Sequence, residues 1–496
     1  MKRREFLKQG LVIPAGLYTG ALSLNGCQSL SKRPNILFAI ADDWGWPHAG
    51  VYGDPVVKTP HFDRVANEGV LFNHAYVTAP SCTPSRNSIL TGQYHWRLGP
   101  GASLWSTLDP TMPVYPLLLQ QAGYHVGSWR KSWGPGGELT GWEDYPAGKP
   151  YSEGFSEFLS ARPKDAPFCF WLGSSDPHRP YVLNSGADSG IDLDQIRLSG
   201  YFPDNGIVRR DVADYYFEVQ GFDHDLGNAI EKLEEIGELE NTIIVVTGDN
   251  GMPFPRCKSN LYDSGVRAPL AIRWGSRIKK RGRVIEDFVS LSDLAPTFLQ
   301  IAGVNIPSVM TGQSLFDLLI SDEEGFVTSD KRGFVLCGKE RHVPAQEGHM
   351  GGYPCRSIRT HDFLYIRNFK PERWPSGTPN YQKAAIPGAW LADCDNSPTK
   401  TYITENRNRD AYHSHLWELA FGMRPAEELY DCRKDPDQLN NIADDPAFAE
   451  IKNQLAEHLI DLLTESRDPR VLGEGDRFDQ YPYYGGAPKH PSFESS

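Results

Sequence analysis

Two short runs of the chain, 35–40 (Asn-Ile-Leu-Phe-Ala-Ile) and 242–247 (Thr-Ile-Ile-Val-Val-Thr), are apolar almost throughout rather than alternating. That pattern predicts strands covered by helices on both faces, as in parallel sheets. Each run ends in polar ligand-type residues: Asp42-Asp43 after the first, Asp249-Asn250-Gly251 after the second. The end of a strand is where open α/β sheets hold their ligands. Helical periodicity predicts helices over 62–69, 84–90, 116–122, 212–236 and 291–302. Strand and helix patterns alternate over the first two thirds, which predicts a layered α/β domain. From about Gly351 the texture changes. Residues 356–359 and 363–366 read as antiparallel strands joined by a polar turn. A Pro- and Gly-rich stretch follows, then Glu428-Leu429-Tyr430-Asp431 and an amphipathic helix over 449–463. The chain therefore divides into a catalytic-sized domain over 33–345 and a smaller C-terminal antiparallel-sheet subdomain over 346–496.

The first 27 residues stand apart. Lys2-Arg3-Arg4-Glu5-Phe6-Leu7-Lys8 has a twin-arginine pattern, and the apolar run from Leu11 to Leu24 is too short and too rich in Gly and Ser to span a bilayer. Leu24-Asn25-Gly26-Cys27 is similar to a bacterial lipoprotein cleavage box with Cys27 as the lipidated residue; the alternative is an ordinary signal peptide with an incidental cysteine. Either reading makes 1–27 an export signal. The mature protein is expected in the periplasm, or anchored at the outer membrane of a Gram-negative bacterium through a lipid on Cys27 alone. The 496-residue chain has 40% hydrophobic and 23% charged residues, ordinary values for a globular protein. Its net charge of -13 argues against a nucleic-acid partner. An anionic substrate remains compatible, because a local set of cations overrides a mildly acidic surface.

The remaining cysteines, at 82, 169, 257, 337, 355, 394 and 432, have neither C-x-x-C pairing nor zinc spacing. They form no disulfide framework, although one bridge among the later ones is compatible with their spacing. Cys82 needs its own explanation. It opens Cys82-Thr83-Pro84-Ser85-Arg86, where Pro84 suits the first position of a helix because its missing N–H costs nothing there. Cys82 would then sit just before a helix N-terminus, which favours anions, with Arg86 one turn on. The bland alternatives are a buried structural cysteine or a plain thiol nucleophile. The paired Asp42 and Asp43 repel each other unless a cation intervenes. With Asp249 and Asn250 they make an all-oxygen set suited to Ca²⁺ or Mg²⁺ rather than zinc. Either pair alone reads as turn formers; both together, with a reactive residue between them in sequence, favour a metal.

Cys82-Thr83-Pro84-Ser85-Arg86, with Leu90-Thr91-Gly92, resembles the signature of type I sulfatases. Further blocks match that family in order: Pro34 through Asp43, Thr59-Pro60-His61-Phe62-Asp63, Asp249-Asn250-Gly251, Asp293 through Thr297, and Glu428 through Asp431. Ser175-Asp176-Pro177-His178-Arg179, Asp249 through Pro255 and Asn260-Leu261-Tyr262 resemble the heparan N-sulfatase (sulfamidase) branch. The resemblance implies an alkaline-phosphatase-like fold, with a large mixed, mostly parallel sheet. It implies that a formylglycine-generating or anaerobic sulfatase-maturing enzyme oxidises Cys82 to formylglycine, whose hydrate attacks sulfur with one hydroxyl and expels sulfate with the other. It implies one Ca²⁺ held by Asp42, Asp43, Asp249 and Asn250 and contacting residue 82. Arg86, Lys131 and Lys258 would surround the sulfate and the diol, and His178 would donate a hydrogen bond or a proton near the leaving group.

One departure stands out. The family writes its lysine as Gly-Lys-x-His, with the histidine acting on the second hydroxyl. Here the segment reads Arg130-Lys131-Ser132-Trp133. His95 and His125 are the candidate substitutes, with surface or helix-packing histidines as the alternative. Trp44, Trp46, Trp129, Trp133 and Trp142 flank the motifs, where they either stack on sugar or pack the core. The expected reaction is removal of sulfate from a sulfated oligo- or polysaccharide. Glucosamine N-sulfate and algal glycans such as ulvan are the candidate substrates. The alternatives are a phosphate- or phosphonate-ester hydrolase on the same scaffold and an inactive glycan-binding lipoprotein.

Overall fold

A computed structural model of the chain describes residues 33–328 and 331–494. The export signal and Cys27 lie outside the described residues. Among the described residues, no helix is long and apolar enough to cross a membrane.

Eight strands form the main sheet: β1 (Asn35–Ala41), β2 (Val70–Tyr76), β3 (His125–Arg130), β4 (Lys149–Pro150), β5 (Phe168–Gly173), β6 (Thr242–Gly248), β7 (Leu270–Trp274) and β8 (Arg283–Ser290). Their order is β4-β3-β5-β1-β6-β7-β2-β8. The first five in that order run parallel. β7 is antiparallel to both β6 and β2, and β2 is parallel to β8. The sheet is therefore mixed and mostly parallel, as expected.

The two apolar runs of the sequence are adjacent strands, with Ile36 opposite Ile243 and Ala41 opposite Gly248. Their lack of alternation has a direct cause. Ile36, Phe38, Ile40, Ile243 and Val245 enter one core, while Leu37, Ala39, Ala41, Ile244 and Val246 enter another across the sheet. The 30-residue helix Gly206–Glu235 covers the second core. Helices Cys82–Thr91, Tyr115–Gln121 and Leu294–Ala302 contribute to the first.

A second, antiparallel sheet has the order β12-β11-β10-β9, from β9 (Phe334–Lys339), β10 (Cys355–Thr360), β11 (Phe363–Asn368) and β12 (Glu427–Asp431). One face, including Val335, Leu364 and Ile366, joins the main core. The other, including Leu336, Ile358 and Leu429, packs on Leu459 and Leu463 of the helix Ala449–Glu465. The described residues from Pro34 onward accordingly form one compact unit, with the second sheet beginning at Phe334.

Candidate active site

The C-terminal ends of β3, β5, β1 and β6 lie side by side, because these four strands are neighbouring and parallel. β2 runs the same way, being antiparallel to β7 as β6 is. The segments after these ends carry, in turn, Lys131, His178, Asp42 with Asp43, Asp249 with Asn250 and Lys258, and Cys82. The predicted site residues are thus delivered to one edge of the sheet.

Local backbone geometry aims them. In a strand, successive side chains point to opposite faces. Asp43 breaks that alternation with φ +70°, a left-handed conformation that Asp tolerates. Its N–H donates to Asp249 Oδ1 at 2.9 Å, tying the two strand ends together. Asn250 Nδ2 donates to the same oxygen at 2.7 Å. Gly251 permits the following turn, since a Cβ there would lie 1.9 Å from Ser264 O.

The helix bearing the cysteine begins at Cys82 itself, with Ser81 as its N-cap, and Pro84 is its third residue rather than its first. The substitution of position is tolerated because the N–H groups throughout the first turn lack intrahelical partners. Cys82 Sγ lies 3.5 Å from Asp42 Oδ1 and 3.8 Å from Asp43 Oδ1, and Asn250 Nδ2 approaches it at 3.9 Å. One potential ligand atom from each of Asp42, Asp43, Cys82 and Asp249 falls within 4.8 Å of all the others. Asn250 Oδ1 is buried without a hydrogen-bond partner, an acceptor left over for a ligand.

Cations ring this oxygen cluster. Arg86 Nε donates to Asp249 Oδ2 at 2.6 Å, and its Nη1 to Lys131 O at 2.8 Å. Lys131 Nζ donates to Asp42 Oδ2 at 2.5 Å. Lys258 Nζ bridges Asp43 Oδ2 at 2.7 Å and Asp395 Oδ2 at 3.2 Å. His178 Nε2 is 3.8 Å from Asp43 Oδ2, and its Nδ1 donates to Arg179 O at 2.6 Å. Burial opposes ionisation of Asp42, but Lys131, His178, Arg86 and Lys258 outweigh it and hold the carboxyl well below the ordinary range. Asp249 moves the other way: burial pushes it up despite Arg86. The Cys82 thiol is pushed far up by burial, with Asp42 and Asp249 opposing the help of Lys131 and Lys258. Cys82 as encoded is therefore a thiol, not a thiolate, although it sits at a helix N-terminus. Four carboxylates (Asp42, Asp43, Asp249, Asp395) face three fixed cations (Arg86, Lys131, Lys258). A bound divalent ion would turn that net negative charge positive and suit an anionic substrate.

A cavity of about 560 Å³ opens onto Asp42, Cys82, Lys131, His178 and Lys258. Sequence reasoning missed other parts of its wall: Trp105, His342, Asp395 and Tyr483. None belongs to a periodic or spaced motif, and Asp395 is 137 residues from Lys258. His342 Nδ1 pairs with Ser81 Oγ at 2.8 Å, next to Cys82, and burial pushes its pKa down to about 3. It lines the same cavity as Trp133, the residue that the Lys131 segment carries instead of a histidine.

The two candidate substitute histidines, His125 and His95, do not line the cavity. His125 opens β3, at the end of that strand away from Lys131, and stacks on Phe158 at 4.6 Å. His95 is fully buried against Trp96. Of the five flanking tryptophans, Trp133 alone lines the cavity. Trp44 is buried against Phe62 at 4.9 Å, Trp46 and Trp129 lie beneath Arg267 and Arg130, and Trp142 Nε1 donates to Leu108 O. Packing explains these four.

The family model "Sulfatase" matches residues 34–304. An ulvan-active sulfatase of Formosa agariphila is 26% identical, over 90% of this chain and 77% of its own. Human N-sulphoglucosamine sulphohydrolase is 28% identical, over 88% of this chain and 92% of its own. Among solved structures, one described as a complex with its substrate D-glucosamine-2-N,6-O-disulfate superposes with a TM-score of 0.60 at 24% identity, covering 88% of this chain and 99% of that one. A phosphonate monoester hydrolase of Agrobacterium radiobacter shares the fold, with a TM-score of 0.63 at 18% identity over 89% of this chain and 97% of that one.

Proposed function

The chain belongs to the sulfatase family and is a sulfuric ester hydrolase, and from that premise we propose that it removes sulfate from a sulfated carbohydrate, using Cys82 converted to formylglycine and one bound Ca²⁺. The observation that carries this reading is the placement of Cys82. It lies on the cavity wall, beside an all-oxygen cluster and within a ring of Arg86, Lys131 and Lys258.

The donor set fits calcium: the oxygens of Asp42, Asp43, Asp249 and Asn250 are hard ligands, and Asn250 Oδ1 has no other partner. Bound there, Ca²⁺ would supply a Lewis acid that polarises oxygen at the reacting centre. The oxidised form of Cys82 would supply an aldehyde whose hydrate offers a hydroxyl nucleophile. The chain's own residues do the rest. Lys131 and Lys258 present ammonium groups to the cavity, where they hold the sulfate oxygens and offset charge that develops on them. Arg86 anchors Asp249 and the Lys131 carbonyl, keeping two sides of the site in register. His178, with its Nδ1–H committed to Arg179 O, presents Nε2, which in the imidazolium form donates a proton to the departing alcohol or amine. His342, held by Ser81 Oγ in the same cavity, is the second imidazole available for the opposite transfer. Among the described residues the candidate ligand groups all overlap at Asp42 or Asp43, which favours one metal centre over the two-metal chemistry of many phosphate-ester hydrolases.

The sugar is read from the relatives: those named for ulvan and N-sulphoglucosamine make algal glycans and glucosamine N-sulfate the substrates to test first. The test uses protein co-expressed with a formylglycine-generating or anaerobic sulfatase-maturing enzyme. Peptide mass spectrometry should find the aldehyde at residue 82, and ion chromatography should find sulfate released from glucosamine N-sulfate, glucosamine 6-sulfate or ulvan oligosaccharides. Cys82→Ala should release none while keeping its fold. An unmodified cysteine in active protein, or undiminished turnover by Cys82→Ala, would overturn the nucleophile. Export through residues 1–27 and a lipid on Cys27 complete the proposal; labelling with radioactive palmitate, lost in Cys27→Ala, tests the anchor.

A further inference from the structure

Beside the catalytic cavity lies a groove of about 890 Å³. One partition separates the two, built from segments 105–107, 135–137 and 483–486. These segments are laced together. Ser106 pairs with Gly136 as a parallel bridge, Gly137 N–H donates to Ser106 O at 2.8 Å, and Tyr484 N–H donates to Trp105 O at 2.9 Å. Each segment serves both sides. Trp105, Pro135 and Tyr483 line the catalytic cavity, whereas Thr107, Gly136 and Tyr484 line the groove.

Two glycines in the partition make room for two aromatic rings. A Cβ on Gly485 would lie 2.3 Å from the Trp105 indole, and a Cβ on Gly137 would lie 2.7 Å from the ring of Tyr484. The Tyr484 ring thus rests on Gly137 and leaves 53% of the residue exposed to the groove side. Around it the groove offers oxygens, from Thr107, Asp109, Glu138 and Thr140, and no Lys, Arg or His lines it. That combination suits a sugar ring: its C–H face stacks on an aromatic ring, and its hydroxyls donate to carboxylates. It does not suit another sulfate or a uronate, which Asp109 and Glu138 would repel.

We propose that this groove is a second carbohydrate subsite, with Tyr484 as its stacking platform, holding an uncharged sugar unit of the same glycan whose sulfated unit occupies the catalytic cavity. The inference rests on the carbohydrate reading of the function given above. It makes the enzyme a reader of at least one unit beyond the one that loses sulfate.

The test compares glucosamine N-sulfate with a synthetic disaccharide in which the same residue is joined to glucose; where N-sulfate is inert, the 6-sulfate pair replaces it. In the matured wild-type enzyme the disaccharide should show a KM about tenfold below that of the monosaccharide. Tyr484→Ala should raise the disaccharide KM several-fold at nearly constant kcat, and leave the monosaccharide KM within about twofold. Tyr484→Phe, which keeps the ring, should behave as wild type. Gly137→Ala, which displaces the ring without deleting it, should reproduce the disaccharide defect. Equal KM values for the two substrates in wild type, or a Tyr484→Ala defect equally large on both, would overturn the subsite while leaving the sulfatase assignment intact. Failure of matured wild type to release sulfate from all four sugars and from ulvan oligosaccharides alike would instead overturn the carbohydrate reading, and the subsite with it.

Discussion

The role left open by the missing histidine of the Lys131 segment has one candidate in the cavity wall, His342. Position 133 is a tryptophan, and His342, held by Ser81 Oγ, is a second imidazole in the cavity wall besides His178, whose ring lies within 4.8 Å of the Cys82 sulfur. Burial keeps the His342 ring neutral and lowers its basicity, so it accepts a proton only where a bound anion offsets the cost of charging it. His342→Ala is therefore expected to slow sulfate release by roughly a hundredfold, the usual size of a lost acid–base group. His125→Ala, remote at the far end of β3, should change the rate by less than about twofold. Steady-state rates of the two variants decide the matter; a slow His125 variant beside a normal His342 variant would reverse the assignment. Asp395 poses a second question at this scale. It shares the Lys258 ammonium with Asp43, and without it Lys258 would lean wholly on the oxygen cluster. Loss of such a charge-assisted hydrogen bond costs about 1.5–3 kcal/mol. Asp395→Asn should accordingly lower kcat/KM by roughly tenfold to a hundredfold, with the circular dichroism spectrum unchanged. A wild-type value would mean that Asp43 alone fixes Lys258.

Adjacent parallel strands converted scattered motifs into one site. The apolar runs at 35–40 and 242–247 announced strands because both faces are buried, and their pairing brings Asp42 beside Asp249 across more than 200 residues of chain. That part was legible in the sequence, because burial on two faces leaves a continuous pattern and ligands cluster at strand ends. The cavity's outer wall was not. Trp105, His342, Asp395 and Tyr483 lie in loops, where no period marks which side chains face inward. Helix starts were displaced by a few residues for a related reason. The first turn makes no intrahelical N–H bonds, so Pro84 fits its third position as readily as its first. One glycine shows how closely the elements pass. A Cβ on Gly173, the last residue of β5, would fall 1.7 Å from Lys131 O, the same carbonyl that receives Arg86 Nη1. Gly173→Ala must push the Lys131 segment away from the site. The expected cost is about 1–3 kcal/mol of stability, as for other overpacked positions, together with a larger loss of kcat than of folding. Chemical denaturation and sulfate release, measured side by side, would show it; a stable and fully active Gly173→Ala would refute the close passage.

The second sheet does structural service to the first at the scale of the whole molecule. Lys339, at the end of β9, donates to Ser259 O at 2.9 Å and to Asp393 Oδ2 at 2.6 Å, so one side chain fixes the residues flanking both Lys258 and Asp395. Arg359 of β10 grips Asp263, a few residues past Lys258, through both carboxylate oxygens at 2.9 Å. The loop that carries Lys258 is thereby clasped to the second sheet rather than left to the first alone. Burial disfavours the Asp263 charge, but Arg359, with help from Arg267, overcomes it and holds the carboxyl at about 2. An ordinary unfolded Asp titrates near 3.9, so the folded state binds the proton less well. The clasp's contribution is therefore complete above about pH 4 and is lost as pH falls through about 2. Asp263→Asn leaves Arg359 buried without its counter-charge, a change that costs about 3–5 kcal/mol at neutral pH. Urea denaturation of the two proteins should give that gap at pH 7 and an equal gap at pH 5, because the carboxylate is ionised in folded and unfolded chains alike. Toward pH 3 the gap should narrow, as protonation of unfolded Asp263 removes the advantage that the wild type holds. A gap that stays constant from pH 7 down to pH 3 would mean that packing, not the ion pair, joins the Lys258 loop to the second sheet.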